Sequence, residues 1–218
     1  MRKRLVIGFL LILLFSTYKS QNLFLSSKFV IKEIEIENNV ILKDKEIKKD
    51  LIFLYNTNLI SLNTLNIKNI LKKNSFINSF EIKKIYPNKI KIKIFEKKPI
   101  GIVKYNKILF YIDENFELIE FINHKNFNNL PEIFGDKGNF EVFYNNLKKM
   151  NFPLSLIKKY YLHESIRWDL QTYNNKIIKL PSEDYTKSLK NFIDLRKKNN
   201  FDKYTIFDYR INNQLILK

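Results

Sequence analysis

The stretch FEIKKIYPNKIKIKIFE, residues 80–96, decides the fold of the first half of the chain. Its second part alternates lysine with isoleucine over six residues from Lys89, a period of two that is typical of an antiparallel strand with one buried face. Pro87-Asn88 separates this strand from the run 80–86 and predicts a tight turn, because proline presets φ and asparagine suits the next turn position. The stretch is therefore predicted to form a β-hairpin.

The segment before the hairpin predicts one strand and two helices. Residues 29–37 end in alternating isoleucine and glutamate, and Asn38-Asn39 tolerates the left-handed backbone of a turn. A helix is expected from about 44 to 54, and a second helix after a cap at Asn63 or Thr64. Apolar residues with helical spacing form the inner stripe of each helix. These stripes are Ile47, Leu51 and Leu54, then Ile67, Ile70 and Leu71.

The second half predicts a mostly antiparallel β-domain with two helices, so the fold class is α+β. An amphipathic helix with Phe140, Phe143, Tyr144 and Leu147 on one side precedes three antiparallel strands at 157–163, 165–172 and 176–180. The second helix is expected after Pro181, with Ser182 as its cap. The other strand-like runs are 100–105, 108–112, 117–121, 205–211 and 214–217.

Composition and motif searches argue against several classes of function. The net charge of +17 comes mostly from lysines spread over nearly every exposed face, without the clustered basic and aromatic stripe of a nucleic-acid interface. The absence of cysteine excludes disulfides and cysteine-type zinc sites. His124 and His163 lack partners at ligand spacing, and no nucleophile elbow, phosphate loop or dinucleotide fingerprint occurs. We therefore expect no catalytic residue, metal, cofactor, nucleic acid or small-molecule substrate.

The N-terminus has the charge pattern of a membrane-targeting segment. Three basic residues precede an apolar run from residue 5 to 15, and this arrangement favours a cytoplasmic basic end. The fourteen residues between Arg4 and Lys19 form about 21 Å of helix, which is shorter than the ~30 Å hydrocarbon core. That length suits a cleaved secretory signal, although no clean small-x-small site follows. A short anchor with Arg4 and Lys19 snorkelling, continued through 23–25, is equally consistent. In both cases the chain is exported from about residue 28.

The β-α-α-β-β order over residues 28–99 resembles a POTRA domain, and its motifs resemble those of the FtsQ/DivIB family of bacterial division proteins. Asn38-Asn39 stands where that family typically has Gly-Asn, and asparagine keeps access to positive φ. The motifs are FVIKEIEIENN at 29–39, LISL at 59–62, IYP at 85–87, IKIKI at 90–94 and EKKP at 96–99. The family's β-domain is resembled by RWDL at 167–170, IIKLP at 177–181, FDYR at 207–210 and QLIL at 214–217.

The resemblance implies a non-enzymatic scaffold of the division septum. It implies a cytoplasmic tail at 1–4, a single uncleaved inner-membrane anchor at 5–25, a POTRA domain at 28–99 and an FtsQ-type β-domain at 100–218. The bulk of the protein would then lie in the periplasm. In this family FtsB, in complex with FtsL, docks at the end of the β-domain, and the POTRA domain takes part in recruitment, including contact with FtsK.

The candidate partner-binding residues lie near the C-terminus and in the RWDL motif. A terminal strand tends to lie at a sheet edge, where its free backbone groups can accept a strand from a partner. An arginine at position 167 suits a partner's carboxylate. The alternative is that Trp168 and the aliphatic residues only complete the core. The candidates are Arg167, Trp168, Tyr209, Arg210, Ile211, Leu215 and Leu217.

Two rival functions are weaker. A secreted POTRA protein that acts as a chaperone or adaptor of outer-membrane assembly would be expected to carry further POTRA repeats or a barrel, and the sequence contains neither signal. An exported cell-wall enzyme would need a catalytic constellation, and the sequence contains no recognisable one.

Overall fold

The computed structural model describes residues 2–17, 27–105, 107–198, 201–211 and 214–218. The chain divides into two compact units, Met1–Glu96 (unit 1) and Lys97–Lys218 (unit 2).

The N-terminal helix α1 spans Arg2–Thr17. Among the described ranges, no helix combines the length and the apolarity that a membrane crossing requires. The anchor expected at 5–25 extends past α1 into residues 18–25, which lie outside the described part of the chain.

Unit 1 has the predicted β-α-α-β-β order. The helix expected over 44–54 is a shorter α-helix followed by a 3-10 helix, Ile52–Asn56. The turn between the last two strands contains a cis Tyr86-Pro87 peptide bond. The elements are β1 (Glu33–Glu37), α2 (Asp44–Asp50), α3 (Leu65–Lys73), β2 (Ile77–Ile85) and β3 (Lys89–Glu96).

The sheet of unit 1 has the strand order β1-β3-β2, with β1 parallel and β2 antiparallel to the central β3. The alternation that predicted β3 is confirmed, because Ile90, Ile92 and Ile94 are fully buried. Each isoleucine contributes about 1.5–3 kcal/mol through burial. Asn38 has φ 62°, as expected for the residue that ends β1. The helical segments add Ile47, Leu51, Leu54, Ile67 and Leu71 to this core, and β1 adds Ile34 and Ile36.

Unit 2 is built on one nine-stranded sheet with the order β12-β11-β10-β9-β8-β7-β4-β5-β6. Five of its eight pairings are antiparallel and three are parallel, which confirms a mostly antiparallel domain. The strands are β4 (Pro99–Tyr105), β5 (Ile108–Asp113), β6 (Leu118–Glu120), β7 (Glu132–Phe134), β8 (Ile157–Leu162), β9 (Trp168–Thr172), β10 (Ile177–Lys179), β11 (Ile206–Asp208) and β12 (Ile216–Leu217). The two predicted helices are α4 (Lys137–Lys149) and α5 (Tyr185–Arg196).

The core of unit 2 lies between one face of this sheet and the two helices. Directly opposed residues of neighbouring strands share a face, so the register defines a buried row across the sheet. The helices contribute Phe140 and Phe143 from α4 and Leu189 and Phe192 from α5 to the same cluster. The row consists of Ile133, Tyr160, Leu170, Ile178, Phe207 and Leu217.

The ends of several elements differ from the prediction. Strand β9, expected from residue 165, begins at Trp168, because the N–H of Ile166 donates to the carbonyl of His163 in a turn. Helix α5 begins at Tyr185, and its N-cap is Asp184 at φ 54° without a side-chain cap bond, so the expected cap at Ser182 is wrong. Strand β11 ends at Asp208 because the carboxylate of Asp208 accepts a hydrogen bond from the backbone N–H of Arg210, which turns the chain out of the ladder.

Candidate partner-binding edge

The C-terminal strand β12 lies at one edge of the sheet in unit 2, where it pairs with β11 alone. Ile206 and Lys218 exchange both backbone hydrogen bonds, at 3.0 and 3.1 Å. In an antiparallel ladder such pairs alternate with pairs that make no bond to each other. The backbone N–H and C=O of Leu217 therefore face away from β11 and offer hydrogen-bonding groups to the free edge.

The side chains along this edge alternate between the core of unit 2 and the solvent, and the residue whose backbone groups are free has its side chain against the core. Leu215 and Leu217 are partly buried against the core of unit 2, so their side chains fit the core-closing alternative rather than direct contact. Ile216 is 38% exposed and Ile211 is 51% exposed. Ile216 was not among the sequence candidates, because a run of three aliphatic residues does not reveal which one points outward.

Tyr209 and Arg210 connect the two last strands to the rest of unit 2. Tyr209 is buried, its hydroxyl lies 2.9 Å from Asn191 Oδ1 on α5, and burial raises the pKa of this phenol. Arg210 is partly exposed and donates from Nε to Asp208 Oδ1 at 2.8 Å, while its Nη2 binds Asp208 Oδ2. This bidentate pair lowers the pKa of Asp208. We refer to Tyr209–Ile211 together with 214–218 as the docking edge.

A row of side chains crosses the sheet to this edge, and its two aspartates, Asp169 and Asp208, are buried. The row lies on the face opposite α4 and α5 and combines aromatic, charged and aliphatic residues. At one end the rings of Phe134 and Tyr161 stack, with centroids 4.7 Å apart. In cross-strand register the row is Phe134, Tyr161, Asp169, Lys179, Asp208 and Ile216.

Arg167 lies close to the middle of this row. Its Nε is 3.5 Å from Asp169 Oδ1 and has no hydrogen-bond partner among the described residues. His163 Nε2 approaches the other oxygen of Asp169 at 2.9 Å, a contact that sequence spacing did not reveal. The neighbouring Ile166 has φ 54° and is 64% exposed, an unfavourable conformation for a β-branched residue. The Nε atom is buried, and the Arg167 side chain as a whole is 24% exposed, so a partner could reach only the terminal nitrogens of the guanidinium.

Trp168 lies in the core of unit 2. The residue is 4% exposed, and its ring stacks on Phe143 at a centroid distance of 4.9 Å. A Cβ added to Gly135 would lie 3.1 Å from Trp168 Cη2 and 2.7 Å from Leu162 Cβ, so only glycine fits beside the indole. The indole therefore offers little surface to a partner, and we leave Trp168 out of the docking edge.

A groove of about 420 Å³ borders the docking edge. Its walls come from the first half of α5, including Lys187 and Asn191, and from Tyr209, Ile211 and Leu215. The groove has apolar side chains next to the edge and charged side chains on the helix. A side chain that enters here from a strand paired with β12 would meet both kinds of group.

The sheet of unit 1 carries a different exposed surface. Three glutamates of β1 face the lysines of β3 in register. Lys89 Nζ lies 2.9 Å from Glu33 and also contacts Glu35, and Lys91 Nζ lies 3.3 Å from Glu35 and 2.6 Å from Glu37. Hydrogen bonds from Lys89 and Lys91 lower the pKa of Glu35 to about 2. The same bonds raise the pKa values of both lysines.

The described ranges contain no group of three or more histidine, cysteine, aspartate or glutamate residues that could hold a metal ion. The free backbone groups of the docking edge suit recognition of a peptide backbone.

Two family models match most of the chain. A family model described as POTRA domain, FtsQ-type, matches residues 29–97. A second, described as cell division protein FtsQ/DivIB, C-terminal, matches residues 101–210.

The individual relatives that match this chain are named as cell division proteins FtsQ or DivIB. Cell division protein FtsQ of Rickettsia conorii is 28% identical over 211 residues, which is 93% of this chain and 78% of that protein. Cell division protein FtsQ of Rickettsia prowazekii is 30% identical over 166 residues, 73% of this chain and 61% of the relative. Cell division protein DivIB of Clostridium tetani is 32% identical over 92 residues, 42% of this chain and 35% of the relative.

Proposed function

Because the chain belongs to the FtsQ/DivIB family of cell division proteins, we propose that it is a non-enzymatic scaffold of the division septum. In this proposal it captures an FtsB-type protein, in complex with an FtsL-type protein, and links it to the other components of the division machinery. The partner contributes a strand that pairs with β12.

The free edge of β12 carries this proposal. Leu217 directs its N–H and C=O away from β11, and on that side of β12 the described chain supplies no further strand. Unpaired backbone groups at an exposed edge favour pairing with another chain. The exposed Ile211 and Ile216 beside them offer apolar surface to the side chains of an added strand.

Arg167 supports the proposal through its unused hydrogen-bonding capacity. Its guanidinium makes only a 3.5 Å approach to Asp169 among the described residues. We propose that it binds a carboxylate of the partner, since a guanidinium pairs with carboxylates in a bidentate manner. Arg210 already binds both oxygens of Asp208. In the proposal it therefore shapes the docking edge, and it is not the residue that makes the first contact with the partner.

The proposed location is the inner membrane at the septum. The basic N-terminus and the apolar run that follows support a single retained anchor at 5–25, with residues 1–4 in the cytoplasm and the remainder in the periplasm. The POTRA domain, 28–99, is proposed to add a recruitment surface that contacts FtsK, and the β-domain, 100–218, to hold the docking edge. Retention of residues 1–15 in the mature protein and resistance to alkaline extraction test the anchor; a shortened, extractable chain would refute it.

The replacement Leu217→Pro tests strand addition. Proline removes the outward N–H of Leu217 but leaves the bonds between Ile206 and Lys218, so the fold should survive. We expect the dissociation constant for the FtsB/FtsL pair of the same organism to rise about tenfold, because the partner's carbonyl loses its donor at a cost of about 1–3 kcal/mol. Affinity can be measured by titration calorimetry on the full chain in detergent micelles.

Leu217→Ala is the matched control, because it removes the same side-chain packing and keeps the N–H. Deletion of 209–218 should abolish co-purification of the pair. Equal affinities of the proline and alanine variants, or intact co-purification after the deletion, would contradict the proposal.

A further inference from the structure

A buried lysine behind the docking edge has no role in the function proposed above. Lys176, just before β10, is 6% exposed. Its Nζ donates to the backbone oxygen of Tyr204 at 2.8 Å and to that of Phe201 at 3.3 Å, and it lies 4.5 Å from the centre of the Phe201 ring. Asp202 is 3.6 Å away but its side chain is 96% exposed, so this carboxylate adds little. The ammonium is therefore held by backbone carbonyls and a ring.

The segment bound by Lys176 leads directly into the last two strands. Thr205 follows Tyr204, and its carbonyl accepts a hydrogen bond from Ile177 N–H at 2.8 Å. The backbone N–H of Thr205 donates to Lys218 O at 2.7 Å, and its hydroxyl lies 3.2 Å from the same oxygen. A continuous set of contacts thus connects the buried ammonium with the last residue of the docking edge.

Global stability is a poor explanation for this lysine. Removing an ammonium from water is costly, and an apolar side chain of similar volume in its place is often neutral or stabilising. Buried charges can instead select one arrangement of the chain among several, because only one arrangement satisfies their donors. The carbonyls of Phe201 and Tyr204 can meet the ammonium together only when the turn between them is formed.

We propose that Lys176 is a positioning residue for the docking edge: its ammonium fixes the start of β11 and thereby the place of Lys218 at the end of β12. The positioning itself is independent of the partner. Its consequence for binding rests on the proposed function, because a strand can add only to an edge that is held in register.

Hydrogen exchange in the full chain in micelles tests the positioning, with Lys176→Met compared with the wild type. The amides of Thr205, Ile206 and Lys218 should exchange at least tenfold faster, whereas amides of Tyr160 and Leu170 in the middle of the sheet should stay within twofold. The melting temperature should be unchanged or higher. The affinity for the FtsB/FtsL pair should fall at least fivefold. Lys190→Met, on the exposed side of α5, removes the same charge and should change none of these values.

Each outcome of the exchange and affinity measurements supports or overturns part of this proposal for Lys176. Unchanged exchange at Thr205, Ile206 and Lys218 would overturn the positioning role, and so would a uniform rise in exchange across β8 and β9, which would indicate general destabilisation. Faster local exchange with unchanged affinity would overturn the link to docking. If the wild type does not bind the pair, the proposed function fails while the exchange data still decide the role of Lys176. Should Lys176→Met not fold, Lys176→Gln takes its place with the same criteria.

Discussion

The two units each have a strand at a sheet edge, β1 in unit 1 and β12 in unit 2, and the two edges differ in charge and in exposure of apolar groups. Three glutamates of β1 are paired with Lys89 and Lys91 of the neighbouring strand. Strand β12 is two residues long, and Ile216 and the preceding Ile211 are exposed beside it. Charged edge strands are a common protection against unwanted pairing. The difference indicates that β1 is protected against pairing, and it supports the proposal that β12 accepts a partner strand.

Adding charge to the open edge should have the largest effect. In the double variant Ile211→Glu, Ile216→Glu, carboxylates replace the two exposed isoleucines of the docking edge. We expect the affinity for the FtsB/FtsL pair to fall by more than about thirtyfold, because both charges would lose water when the partner strand pairs, at a cost of about 2 kcal/mol or more. Calorimetric titration on the full chain measures this change.

Val142→Glu is the control, since Val142 is 63% exposed on α4 and lies away from β12. The control should bind like the wild type. If the double variant also binds like the wild type, β12 is not the docking strand.

Removing charge from the protected edge should have an intermediate effect. In the triple variant Glu33→Thr, Glu35→Thr, Glu37→Thr, β1 keeps a good strand sequence and loses its carboxylates. We expect concentration-dependent self-association of the full chain, detected by sedimentation velocity in detergent, while the wild type sediments as one species.

Glu46→Thr together with Asp50→Thr removes acidic charge from helix α2 of the same unit, and this control should not associate. Equal sedimentation of the triple variant and the wild type would show that the charges do not protect the edge.

Acid should affect the β1 edge through Glu35, and this is the smallest of the three effects. The pKa of Glu35 is lowered from 4.5 to about 2 in the folded chain, so its pairs stabilise unit 1 above pH 4.5. This contribution should decline as the pH falls from 4.5 and be absent below about 2. It should also weaken in 0.5 M salt, because the groups are at the surface.

Melting curves at several pH values, followed by amide signals of β1 and β3, measure the contribution. Glu35→Gln should reduce the pH dependence between 4.5 and 2. An unchanged pH dependence in this variant would exclude Glu35 as the titrating group.

Unit 1 could be predicted almost completely from the sequence, because its signals are local. The isoleucines of β3 at alternate positions, the turn at Pro87-Asn88 and the stripe of Ile47, Leu51 and Leu54 each depend on neighbours within a few residues. The parallel pairing of β1 with β3 could not be derived in this way, because it joins residues that are more than fifty positions apart.

The docking edge was predicted less well for the same reason. Its location at the end of the sheet followed from the position of β12 at the C-terminus of the chain. The inward direction of Leu215 and Leu217 depends on the register with β11, which a short aliphatic run does not encode. Lys176 resembles any other lysine in the sequence, and its burial results from a segment twenty-five or more residues further along the chain.

The parallel pairing of β1 with β3 also determines how unit 1 would respond to a pull along the chain. Glu33 faces Lys89 and Glu37 faces Lys93, so the chain enters at one end of the strand pair and leaves at the other, beyond Glu96. Tension between these points slides one strand along the other and loads all five rungs of the ladder together. A hairpin pulled from its open end breaks one rung at a time. Unit 1 therefore resists tension in shear, the stronger of the two loading geometries.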